Sequence, residues 1–183
     1  MKMDMSGLIG EIKAKQAISA ADVMALRQEI WPDGIVSSDE ADLLFQINNL
    51  GSHPSEEWLE FFVATITEYV VNQTEPKGYV SDDNAGWLMQ KIDHDGKIES
   101  AAELELLVRT MERATGTPEQ LQDYVLKQIE GAVLTGKGPT RDGGALQPGS
   151  ISDSEVKILR RVCYAAGSAA AKPICCSGSR TRH

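Results

Sequence analysis

The chain has 183 residues, 42% of them hydrophobic and 25% charged, the balance of an ordinary globular protein and not of a disordered or fibrous one. Its 18 Lys and Arg stand against 27 Asp and Glu, and the resulting net charge of −9 argues against nucleic acid as a partner and for cations, basic peptides and basic protein faces. No apolar run approaches the length of a bilayer span, and the three cysteines lack the spacing of a zinc site or a disulfide framework, so a cytoplasmic protein without membrane association is expected.

The opening MKMDMSGLIGEIKAKQ places Glu11, Lys13 and Lys15 where a signal peptide would need an unbroken apolar stretch, and no export is expected. From there the apolar spacing is helical nearly everywhere. Ser19 precedes AADVMALRQEI, in which Val23, Leu26 and Ile30 share one face. Pro54 and Ser55 open a helix with a broad stripe of Trp58, Phe61, Phe62, Ile66 and Val70, which Pro76 should stop. In TPEQLQDYVLKQIEGAVL, Thr117 is the expected N-cap, Pro118 the first helical residue and Gln120 the partner in a capping box. Leu121, Val125, Ile129 and Val133 then recur along one face. Residues 135–150, rich in Gly and Pro, read as a flexible linker.

Between these helices a short unit recurs. DGIVSSDEADLLFQI from Asp33, KGYVSDDNAGWLMQK from Lys77, DGKIESAAELELLVRTM from Asp95 and PGSISDSEVKILRRVCYA from Pro148 each give Gly, then Val or Ile, then Ser or Glu, then a helix. One reading of the unit is purely structural. The glycine turns the chain, Val36, Val80, Ile98 and Ile151 drop into the core, and Ser37/Glu40, Ser100/Glu103 and Ser152/Glu155 form capping boxes, while Ser81 with Asn84 makes an incomplete one. A second reading takes the same spacing as a degenerate EF-hand loop, with glycine at position 6, an aliphatic at 8 and Glu at 12. The hard-ligand candidates for calcium or magnesium are then Asp33, Glu40, Asp93 and Asp95, although no copy carries a full ligand set. Capping is the favoured reading, and no cofactor is expected.

Asp33-Gly34 to Glu40 and Asp95-Gly96 to Glu103, set in an acidic all-helical chain, resemble the TerB-like (tellurite-resistance) helical domains and the similar N-terminal domain of membrane-anchored DnaJ-like proteins. The chain also resembles uncharacterised alphaproteobacterial proteins with the same run of repeats. The resemblance implies a helical bundle and an acidic loop patch for a divalent metal; the second and fourth copies here lack the acidic pair.

No phosphate loop or catalytic constellation emerges. GAVLTGKG, from Gly131, has Gly138 where a magnesium-binding Ser or Thr belongs, and His53, His94 and His183 stand in no motif with a nucleophile. The tail after Gly167 loses all periodicity. Read from the third base of each preceding codon, Ala171 to Ser177 can encode Glu-Ala-Asp-Leu-Leu-Phe, the string at Glu40 to Phe45, so a frameshift through a fifth copy is inferred.

The expectation is therefore an all-α bundle of turn-plus-helix units: a repeat domain at 1–134, a linker at 135–150, a truncated fourth repeat at 151–166 and an out-of-frame tail at 167–183. The expected function is non-enzymatic, through contacts with a protein partner, with a second copy of the chain docking on helix 152–166; the alternative is divalent-cation binding or sensing.

Overall fold

The computed structural model describes residues 5–30, 34–50, 53–93, 98, 100–141 and 147–170. The fold is all-α. Among the described residues there are eight α-helices: α1 (Met5–Lys15), α2 (Ala20–Ile30), α3 (Ser38–Leu50), α4 (Glu56–Glu68), α5 (Asp82–Ile92), α6 (Ala101–Arg113), α7 (Glu119–Thr135) and α8 (Asp153–Ala170). Two short strands, β1 (Ala17–Ile18) and β2 (His53–Pro54), pair in parallel with Ala17 opposite His53 and Ile18 opposite Pro54.

Helix α4 is the centre because its buried residues cover most of its circumference, leaving only the Glu56, Glu57, Glu60 and Ala64 face to solvent. Trp58, Phe61, Phe62, Val63 and Ile66 are all buried, a pattern that only neighbours on several sides can satisfy, and α2, α3 and α6 pack around it. Trp58 stacks on Phe62 with ring centroids 5.8 Å apart, and Phe45 of α3 meets Phe62 edge-on at 5.2 Å. The helix does not run on to Pro76. It widens into a π-turn at Tyr69–Gln73, where Thr74 N–H donates to Tyr69 O at 3.2 Å and the Thr74 hydroxyl to Val70 O at 2.7 Å, and the chain leaves there.

Every recurring unit begins a helix. Ser37 and Glu40, Ser100 and Glu103, and Ser152 and Glu155 exchange backbone-to-side-chain hydrogen bonds in both directions, as capping boxes require. Ser81 accepts from Asn84 N–H alone, since the Asn84 amide turns away to Thr74 Oγ1. Gly34, Gly78 and Gly149 have φ of 74°, 82° and 85°, a conformation in which a side chain is strained. One cap is displaced. Pro118, not Thr117, caps α7 without a side-chain bond, and the Gln120 amide instead donates to the backbone and carboxylate of Asp82, joining the starts of α7 and α5.

The repeat is larger than a single turn and helix. Ser19 with Asp22 forms another box at the start of α2, so the caps Ser19, Ser37 and Ser55 are evenly spaced, and Ser81, Ser100 and Pro118 follow with nearly the same spacing. In the first trio, the residues just before α2 and α4 form the β1–β2 bridge. In the second, the residues just before α5 and α7 do the same: Thr115 N–H donates to Gly78 O at 2.7 Å and Val80 N–H to Gly116 O at 3.1 Å. Helix α2 packs on α4 as α5 packs on α7. The bundle thus contains two three-helix units, α2–α3–α4 and α5–α6–α7, each closed by a short bridge between its first and third helix.

The segment read as a linker at 135–150 is anchored where it is described. Helix α7 ends on Gly136 in the left-handed region, Pro139 is buried, and Arg141 reaches α8. Helix α8 itself continues to Ala170, beyond the boundary expected at 166.

Candidate interaction surface

Helix α8 lies across α6 and α7 and is fixed by two charge clusters. Glu155, fully buried, accepts at Oε1 from Arg141 Nε (2.9 Å) and the Thr140 hydroxyl (3.0 Å), and at Oε2 from Arg141 Nη2 (3.1 Å) and Ser152 N–H (2.7 Å). Arg141 also donates to the carbonyl of Ser150. Six residues on, Arg161 forks between two carboxylates of α6, meeting Glu105 at 2.6 and 2.8 Å and Glu112 at 2.8 Å through both Nε and Nη2.

These contacts set the ionisation of the anchors. Burial pushes the Glu155 carboxyl up, but the Ser152 N–H, the Arg141 guanidinium and the two hydroxyls outweigh it and hold the group below its ordinary 4.5. The Arg161 hydrogen bonds lower Glu112 despite partial burial, and the two carboxylates hold Arg161 charged. A depressed carboxyl lends stability that is present above its unfolded value and lost as pH falls through the lower folded value. Acidification below about pH 4.5 should therefore loosen α8 before the central helix α4. In an NMR titration, α8 amide signals should move before those of α4; a simultaneous loss would contradict this anchoring.

Between α4, α6 and α8 runs a groove of about 640 Å³. Leu59 and Val63 of α4, Leu104 of α6 and Ile158 of α8 form its apolar floor. Glu56 and Glu60, one turn apart and exposed on α4, stand on its rim, and Glu105 with Arg109 on the other side is tied into the Arg161 cluster. The surface combines apolar contact area with an excess of negative charge, in a chain already at −9.

Of the residues singled out as metal ligands, Glu40 and Asp93 lie elsewhere. Glu40 accepts from both the N–H and the hydroxyl of Ser37 through Oε2, at 2.7 and 2.8 Å, and so serves the start of α3. Asp93 caps the end of α5 and its backbone N–H donates to Met89 O. Asp33 and Asp95 lie outside the described residues, as do Trp31, His94 and His183. Among the described residues, no three His, Cys, Asp or Glu side chains converge on a common point for a metal ion. No family model matches the chain, and no curated protein or solved structure matches it either. The groove was missed in the sequence because its walls come from three helices far apart in the chain. Only the i, i+4 pair Glu56 and Glu60 beside Leu59 and Val63 hinted at it.

Proposed function

We propose that this is a non-enzymatic helical repeat protein of the cytoplasm that works through protein contacts, TerB-like in character, and that the α4–α6–α8 groove receives a basic amphipathic segment of its partner. The observation that carries the reading is the apolar floor of Leu59, Val63, Leu104 and Ile158 under the Glu56/Glu60 rim. Such a surface pairs with a helix carrying aliphatic residues on one face and Lys or Arg beside them, because the charges steer and orient while the floor supplies affinity. The all-α architecture of turn-plus-helix units agrees with what the TerB-like resemblance implies. The absence, among the described residues, of a helix long and apolar enough to cross a membrane agrees with a location away from the bilayer.

The reading is tested with a zero-length carboxyl-to-amine crosslinker in native extract, followed by peptide mapping. Glu56 or Glu60 should couple to lysines of one protein, with coupling lost at high salt and in the Glu56→Lys/Glu60→Lys variant. If the reversed-charge variant captures the same protein with equal yield, the groove is not the docking surface.

A further inference from the structure

The solvent-facing side of α4 is a single line. Glu56, Glu60 and Ala64 are exposed and follow one another at a spacing of one helical turn, so they stand above each other along the helix. The groove against α6 and α8 lies on one flank of this line. On the other flank, between α4 and α2, lies a second groove of about 480 Å³. Arg27 of α2 lines it together with Phe61 and Thr65 of α4. Glu60 and Ala64 line both grooves, so the two form one continuous surface with the α4 line along its middle.

The charges on this surface differ in how they are matched. Glu105 on the α6 wall is already paired with Arg109 and Arg161. Glu56 and Glu60 have no cation beside them among the described residues. Arg27 is exposed and lies over Phe61, with its guanidinium carbon 5.5 Å from the ring centroid. Stacking of this kind occupies the flat face of a guanidinium and leaves its N–H edge available to a carboxylate. Among the described residues no carboxylate accepts from that edge, and no ion pair joins Arg27 to Glu60 although both line the same groove. The surface therefore presents two unmatched carboxylates on the α4 line and one unmatched guanidinium across from them on α2.

This arrangement narrows what can dock. Ala64, in the middle of the line, carries only a methyl group and lets another backbone come close, as helix packing at about 8–10 Å between axes requires. A helix laid along α4 meets Leu59 and Val63 on one flank and Phe61 on the other. Its Lys or Arg residues, one turn apart, reach Glu56 and Glu60. A uniformly basic segment would also set a cation against Arg27, and like charges brought together in an interface are strongly unfavourable. The edge facing α2 must instead bring an acceptor.

We infer that the docked segment is a partner helix of mixed charge that lies along α4 and spans both grooves, with Lys or Arg over Glu56 and Glu60 and an Asp or Glu on its α2 flank paired with the N–H edge of Arg27. The inference rests on the reading of the α4–α6–α8 groove as a docking surface, and adds to it a second wall and the order of charges across the partner helix. Arg27 is then the residue that selects among basic helices: it holds those with an acid on the matching flank and repels those without one.

The test uses the full chain in native extract with the zero-length carboxyl-to-amine crosslinker. Arg27→Lys keeps the positive charge and adds an amine that the reagent can join to an acid. This variant should form two adducts with one protein: Glu56 or Glu60 joined to a lysine, and the introduced amine joined to an Asp or Glu within about two helical turns of that lysine. Arg27→Glu should lower the yield at Glu56 and Glu60 roughly five-fold or more, because a carboxylate then faces the partner's carboxylate. The position is exposed, so the far-UV circular dichroism of both variants should match that of the parent. Three results overturn the inference and leave the groove reading standing, each with Glu56 and Glu60 still capturing their protein. In the first, Arg27→Glu captures it with undiminished yield. In the second, the introduced amine joins only acids of its own chain or of a different protein. In the third, it joins an acid far along the partner's sequence, so that two segments and not one helix fill the surface. If Glu56 and Glu60 of the parent chain couple to no protein, the groove reading falls and this inference falls with it.

Discussion

Glu155→Gln should destabilise the docked α8 by about 3–5 kcal/mol, the loss expected when one member of a buried ion pair is neutralised and the other stays charged. Both partners are sealed from water, with 2% of the Arg141 side chain and none of the Glu155 side chain exposed. Glutamine keeps the length and one acceptor of the original, so the Ser152 N–H can still be satisfied. It cannot balance the guanidinium, which has nowhere to reach solvent. The paired replacement Glu155→Leu with Arg141→Met should behave very differently. It removes both charges and keeps apolar volume, leaving chiefly the lost cap, about 0.5–2 kcal/mol. Urea unfolding of the three proteins measures this. Equal losses in the single and paired variants would show that the charge pair is not what holds Glu155 in place.

The contrast between Glu155 and Glu40 shows how far the sequence could be read. Both stand third after a Ser cap, and both boxes were legible because capping depends on neighbours within one turn. The buried partner Arg141 was not legible. It sits in a Gly- and Pro-rich stretch whose composition says only that no regular element forms there, and its contact with α8 depends on the tertiary fold. The helices and their buried faces were legible for the same local reason, with the broad stripe on α4 a fair sign of a central helix. The three-helix unit was hidden because its third helices, α4 and α7, lack the Gly-aliphatic-Ser signature. They reveal their equivalence through the bridges at Ala17–Ile18 with His53–Pro54 and at Gly78–Val80 with Thr115–Gly116. Ile151, expected in the core but 56% exposed, was misplaced because it shares with Val80 a Gly two residues before and a Ser-Asp helix start directly after. What separates them is whether another segment arrives to cover the position, and no local pattern encodes that.

The seventh residue after the caps of α2, α5 and α8 turns this difference into a measurement. Leu26 and Leu88 have no exposed surface, so Leu26→Ala and Leu88→Ala should each cost about 2–5 kcal/mol, the lost transfer energy plus the cavity left beneath α4 or α7. Leu159→Ala removes the same atoms from a half-buried position on an open face, where the surroundings have little to collapse around, and should cost less than about 1 kcal/mol. Denaturant unfolding of the three variants places them on one scale. Were Leu159→Ala as costly as the others, the stripe on α8 would already be covered. A small cost at Leu159 beside large ones at Leu26 and Leu88 is the signature of two sealed stripes and one that faces solvent, since the same truncation costs most where the surroundings cannot close over it.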